Sequence, residues 1–207
     1  MSYPSKNNEG FTLVELLITI IIVSVMLTII VTSQSKYTDR LVLSNLANEI
    51  SLTLSQAQAY GSGVREFNPG SNEFDISYGL TFSLLGSGSN SAYLYFADRD
   101  SDDIYDGAWS CPIGGTSECL ERTNISRGNT IESICSIGTS GSENCSTPGR
   151  IDISFNRPDT EAQLIFFNTS GTVYVPTNMS GVRIILRTPT TATTSVVVSS
   201  TGQISVQ

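Results

Sequence analysis

The chain has 207 residues, with 19 acidic against 11 basic side chains, a net charge of −8 and no histidine. The missing histidine excludes Ser-His-Asp and Cys-His nucleophilic arrangements and most catalytic zinc sites. The acidic balance disfavours a nonspecific grip on nucleic-acid phosphate, and the length is enough to bury a core.

Met1 to Gly10 form a polar leader with Lys6, Glu9, two asparagines and a proline. An ordinary secretory signal keeps its apolar core ahead of the cleavage point. Here the apolar run, Phe11–Val31, follows the only plausible junction, Gly10–Phe11. A helix over these residues covers about 30 Å, the thickness of a hydrocarbon core. Its one charge is Glu15, costly at that depth and therefore a candidate functional residue. Thr12, Thr19, Ser24 and Thr28 are mild interruptions, since a helical hydroxyl bonds back to a carbonyl one turn earlier. The flanking charges (Lys6 before, Lys36, Asp39 and Arg40 after) leave the positive-inside rule nearly silent. The amino terminus is placed in the cytoplasm because the cysteine-bearing remainder belongs outside.

Within Tyr37–Tyr60, Leu41, Leu43, Leu46, Ile50, Leu52, Leu54 and Ala57 recur at mixed helical steps, so residues 32–60 read as an amphipathic continuation. Gly61-Ser62-Gly63 ends it. One helix from about residue 11 to about residue 60 is expected; the alternative is two helices broken near Thr32–Lys36.

Residues 61–207 read as a β-rich domain. Short runs between turn residues predict strands at Val64–Phe67, Phe74–Phe82, Ala92–Ala97, Arg150–Phe155, Ala162–Asn168, Thr172–Val175, Gly181–Thr188, Ser195–Ser199 and Gln203–Val206. The last two form a hairpin across Ser200-Thr201-Gly202. Thr188–Ser195 reads as a solvated loop. The stretch from about 98 to 148 reads as an irregular insertion, too long for a plain loop.

That stretch holds all four cysteines, Cys111, Cys119, Cys135 and Cys145. An even count behind a membrane-entry segment predicts two disulfides in an oxidising compartment, with the local pairing Cys111–Cys119 and Cys135–Cys145 preferred among three. Free thiols and a zinc site are the rivals. Asp98, Asp100 and Asp102 fall at alternate positions, with Asp103 and Asp106 beside them. Such a turn supplies several oxygens to a calcium ion; the position where a calcium loop carries glycine is Asp103, and the twelfth is Trp109. The alternative is a solvated turn rich in Asp. Trp109, Tyr93, Tyr95 and Tyr105 are a candidate binding surface, although alternate strand residues also have to face a core.

Gly10-Phe11-Thr12-Leu13-Val14-Glu15 followed at once by an apolar helix resembles the class III signal of type IV pilins and type II secretion pseudopilins. The resemblance implies an α+β, type IV pilin-like fold: a long N-terminal helix, half transmembrane and half amphipathic, packed on an antiparallel β-rich domain. It implies that a prepilin peptidase cuts between Gly10 and Phe11 and N-methylates Phe11. The mature single-pass protein would then wait in the bacterial inner membrane with its C-terminal domain outside the cytoplasm. An inner-membrane assembly platform would extract it into a filament of pilin or pseudopilin subunits, Glu15 pairing with a neighbour's amino terminus. The layout and the closing hairpin look most like GspH/FimT-type minor pilins. Some of these bind DNA through Gly-Arg-x-Arg near the carboxyl end; here that place reads Gly202-Gln203-Ile204-Ser205, so nucleic-acid binding is not expected. The resemblance implies a structural subunit rather than an enzyme. The alternative is a binding module at a filament tip, an adhesin or DNA-uptake receptor.

Overall fold

A computed structural model of the chain describes residues 10–63, 67, 76–112, 117–158 and 160–207, apart from the side chains of residues 32, 33, 35 and 36. The leader before Gly10, and the strand expected at Val64–Phe67 except for Phe67 itself, lie outside the described residues. One α-helix, α1 (Leu13–Ser62), comes first. The chain divides into two compact units, one up to Asp39 and one of Arg40–Gln207.

In the first unit the helix carries its hydroxyls as expected. Thr19 Oγ1 donates to the Leu16 carbonyl and Thr28 Oγ1 to the Ser24 carbonyl, each at 2.9 Å. A polar side chain on an apolar helix thereby satisfies itself locally.

The second unit contains two antiparallel sheets. The first runs in the order β3 (Cys119–Asn124), β2 (Ser89–Asp98), β1 (Ser77–Ser83), β6 (Pro148–Phe155), β7 (Ala162–Asn168), β8 (Val173–Tyr174). The second runs β11 (Ile204–Val206), β10 (Thr193–Ser199), β9 (Met179–Arg187), β4 (Thr130–Gly138), β5 (Glu143–Asn144). Register places Tyr95, Leu80, Ile153 and Leu164 in one cross-strand row, and Ile134, Ile184 and Val196 in another. All seven are buried. Cross-strand apolar rows of this kind stabilise a sheet and hold it in register.

The helix supplies Leu43, Leu46, Ala47, Ile50, Leu54 and Ala57 to the same core. Their steps of three and four residues put them on one face. Leu41 and Leu52, expected there, are 46% and 71% exposed. Each lies two residues from a buried leucine, about 200° away around the helix. Gly61 allows the helix to approach β6 closely, because a Cβ there would lie 2.0 Å from the Phe155 carbonyl oxygen. Gln58 Nε2 donates to the carbonyls of Thr160 and Gly202 at 2.8 and 3.0 Å, and so ties the helix to the terminal hairpin. That hairpin is formed, with Val196 opposite Val206.

The segment from about 98 to 148 is corrected. It is not an irregular insertion: β3, β4 and β5 lie within it, and β4 sits between β9 and β5 inside the second sheet. Residues 188–195 are corrected in part, since β10 begins at Thr193 and Thr188 is buried, its hydroxyl accepting the Ala192 N–H.

Candidate functional site

Gly10, Phe11 and Thr12 are non-helical and exposed, and α1 begins at Leu13. Thr12 Oγ1 accepts the Glu15 N–H at 3.3 Å, and the Thr12 carbonyl accepts the Leu16 N–H at 3.2 Å. Those two bonds make Thr12 the N-cap of the helix, and not an interruption within it. The Ser/Thr-x-x-Glu spacing of Thr12 and Glu15 is a capping-box signal that the sequence carried. Glu15 lies in the first turn, where the helix dipole favours a negative charge. Every large apolar side chain from Phe11 to Val31 is at least half exposed, from 50% at Ile22 to 79% at Leu13. The run Leu13–Val31 has a mean hydropathy of 2.9 and none of it is buried.

The second region is the acidic loop after β2. Asp98 is fully buried, and its carboxylate oxygens accept the N–H groups of Ser101 and Asp103, both at 2.8 Å. Those two residues have φ of 66° and 62°, so the buried carboxylate holds the two left-handed positions of the turn. Glu118, also buried, accepts the N–H groups of Arg99 at 3.3 Å and Asp106 at 2.9 Å. Burial pushes the carboxyls of Asp98, Glu118 and Asp102 above the usual range, although the amide bonds pull each of them back. Carboxylate oxygens of Asp98, Asp100 and Glu118 come within 4.8 Å of one another, and so do those of Asp100, Asp102 and Asp106. Asp103 is turned away, its Oδ1 accepting the Ser154 hydroxyl at 2.8 Å. Asp103 belongs to neither of these two groupings, and Glu118, which sequence spacing alone did not offer, belongs to one of them.

The loop is fastened in two further ways. Cys111 is bonded to Cys119 at the start of β3, whereas the other disulfide, Cys135–Cys145, joins β4 to the residue after β5 in the second sheet. Asp152 on β6 is fully buried. It takes two bonds from the Arg150 guanidinium, one from Thr81 Oγ1 at 2.5 Å and one from the Tyr105 N–H at 3.0 Å. Arg150 also donates to the Tyr105 carbonyl at 2.5 Å and lies 4.4 Å above the Phe167 ring. Tyr105 then packs with Leu94, Phe96 and Cys119 in a small second core on the outer face of β2. Tyr93 and Tyr95 face the main core. The tyrosines offered as a binding surface are thus buried, and burial pushes the Tyr105 hydroxyl up to about 12.

Residues 5–31 match the family model described as the prokaryotic N-terminal methylation motif. The motif supports a type IV pilin-like precursor. The match covers the junction, Glu15 and the bare apolar helix, and leaves the β-rich unit outside it. A comparison with curated proteins finds no match, and neither does one with solved structures. With the motif in place, the long helix followed by antiparallel sheets is the α+β, type IV pilin-like fold, and the apolar N-terminal helix is its membrane anchor.

Proposed function

We propose that this precursor matures into a structural subunit of a type IV pilus or a type II secretion filament, a minor pilin or pseudopilin of GspH/FimT type. Prepilin peptidase cuts between Gly10 and Phe11 and methylates the new amino group of Phe11. The mature protein crosses the bacterial inner membrane once, with the β-rich unit outside the cytoplasm. The assembly platform then moves it into a filament beside other pilin or pseudopilin subunits.

The observation that carries this reading is the bare helix inside the matched motif. Burying a large apolar side chain is worth about 1.5–3 kcal/mol. Leaving the whole Leu13–Val31 run in water is untenable on that scale, so lipid covers it first and equivalent helices cover it later. Glu15 fits the same sequence of events. An isolated carboxylate costs about 2.5–3.5 kcal/mol at a membrane helix centre, and a methylated amino terminus of the adjacent subunit compensates it at close range. The test is Glu15→Ala: the variant is still processed but enters filaments poorly, and wild-type incorporation would refute the assembly role. A filament-tip adhesin or DNA-uptake receptor is less well supported, since Tyr93, Tyr95 and Tyr105 are buried.

For the acidic loop the proposal is a structural calcium ion held by Asp98, Asp100 and Glu118. Three carboxylates within 4.8 Å repel one another, and a divalent cation relieves that repulsion with the oxygen ligands it prefers.

A further inference from the structure

The motif residues differ in what they do for the chain itself. A Cβ on Gly10 would meet nothing within 4 Å, and Gly10 has no positive φ. The Phe11 side chain is 77% exposed. Neither residue type is required by the fold of the chain, so their selection lies with a molecule that reads them. Thr12 is the exception, because its hydroxyl and carbonyl oxygens accept the first N–H groups of the helix, from Glu15 and Leu16. A helix leaves its first four N–H groups unsatisfied, and in a membrane interface that omission is costly. The cap therefore fixes where the helix starts.

We propose that Thr12 is a positioning residue for cleavage: its N-cap starts the helix at Leu13 and so holds the Gly10–Phe11 bond in non-helical, accessible backbone. The inference rests on reading Gly10–Phe11 as the bond cut. A protein that takes a peptide segment through its backbone commonly needs it extended, and helical hydrogen bonding would occupy the same groups. Phe11 is one residue from the cap, so the helix boundary falls just past the cut. Without the cap the helix start is no longer held at Leu13. The junction then spends less time in readable geometry, and Glu15 loses its fixed place in the first turn.

The test is the cleavage rate of full-length precursor, in detergent or membranes, by a prepilin peptidase, followed by intact mass. Thr12→Val keeps the shape and β-branching but removes the acceptor. It is expected to lower kcat/KM roughly fivefold, the middle of the range for a lost N-cap. Thr12→Ser and Thr12→Asn restore an acceptor and are expected to be cut within about twofold of wild type, as the N-cap ranking implies. This rescue is a readout that general damage to the fold would not give. Thr12→Val cut at the wild-type rate, or Ser and Asn variants as slow as Val, would overturn the cap's role while leaving the junction intact. Wild-type precursor left uncut at Gly10–Phe11 would overturn the junction reading itself, and the cap's role with it.

Discussion

Replacing Arg150 by alanine is the sharpest perturbation of the β-rich unit. Asp152 has no exposed surface, and the Arg150 side chain is only 19% exposed. Its guanidinium gives Asp152 two of the carboxylate's four hydrogen bonds, the others coming from Thr81 Oγ1 and the Tyr105 N–H. Burial pushes the Asp152 carboxyl up, with Arg150 the chief influence pulling it back. Removing one partner of a buried pair costs about 3–5 kcal/mol, because a buried charge is left uncompensated. A domain of this size loses about 2–4 °C per kcal/mol, so Arg150→Ala should lower Tm by roughly 6–20 °C. Thermal unfolding of the full-length protein in detergent measures this. Adding Asp152→Asn removes the charge, and the amide oxygen accepts the Tyr105 N–H while the amide N–H donates to the Thr81 hydroxyl oxygen, so the double variant should recover a large part of the loss. An Arg150→Ala variant within about 1 kcal/mol of wild type, the scale of an exposed pair, would refute the reasoning.

Two further predictions concern the acidic loop. Asp98, Asp102 and Glu118 have folded pKa values raised by burial, so in the window above the ordinary carboxylate range the folded state binds more protons than the unfolded. Their contribution to stability is then greater on the acid side and is lost as pH rises through the folded values. Calcium-free protein should gain Tm as pH falls from 7 toward about 5, and the gain should shrink in an Asp98→Asn, Glu118→Gln double variant; a steady fall in Tm would contradict this. Calcium at a hundredfold excess over its dissociation constant should add about 2.7 kcal/mol of stability, reversed by chelation and absent in Asp100→Asn. An unchanged Tm at millimolar calcium would exclude the ion.

The sequence was most legible where an apolar run or a regular period marked the element. Ala162–Asn168 carries the apolar run Leu164-Ile165-Phe166-Phe167 and is β7, and Leu43, Leu46, Ile50, Leu54 and Ala57 keep one helical face. Leu41 and Leu52 were misread because hydrophobicity was weighed without angle, and residues two apart on a helix point to opposite sides. In β4 a register shift between Ile131 and Ser133 breaks the two-residue period. Ile131 and Ile134 are therefore both buried although three residues apart, a pattern that a bulge creates and alternation does not reveal. In β3, Cys-Leu-Glu-Arg-Thr-Asn shows little apolar alternation and lies at a sheet edge, where one side of the strand lacks a pairing partner. The acidic loop was visible as chemistry, yet Glu118 was not. It lies 12 residues beyond Asp106 and reaches the loop only because β3 pairs with β2. The Thr12 cap was legible from its spacing to Glu15 but was masked by the apolar run around it.

The central claim is that the apolar helix becomes the amino terminus of the mature protein. Mass spectrometry of the protein recovered from membranes or filaments tests it most directly. The expected terminus is N-methylated Phe11, with Met1 to Gly10 removed. A mature protein that retains the leader, or that has lost the helix by cleavage beyond Val31, would contradict the account.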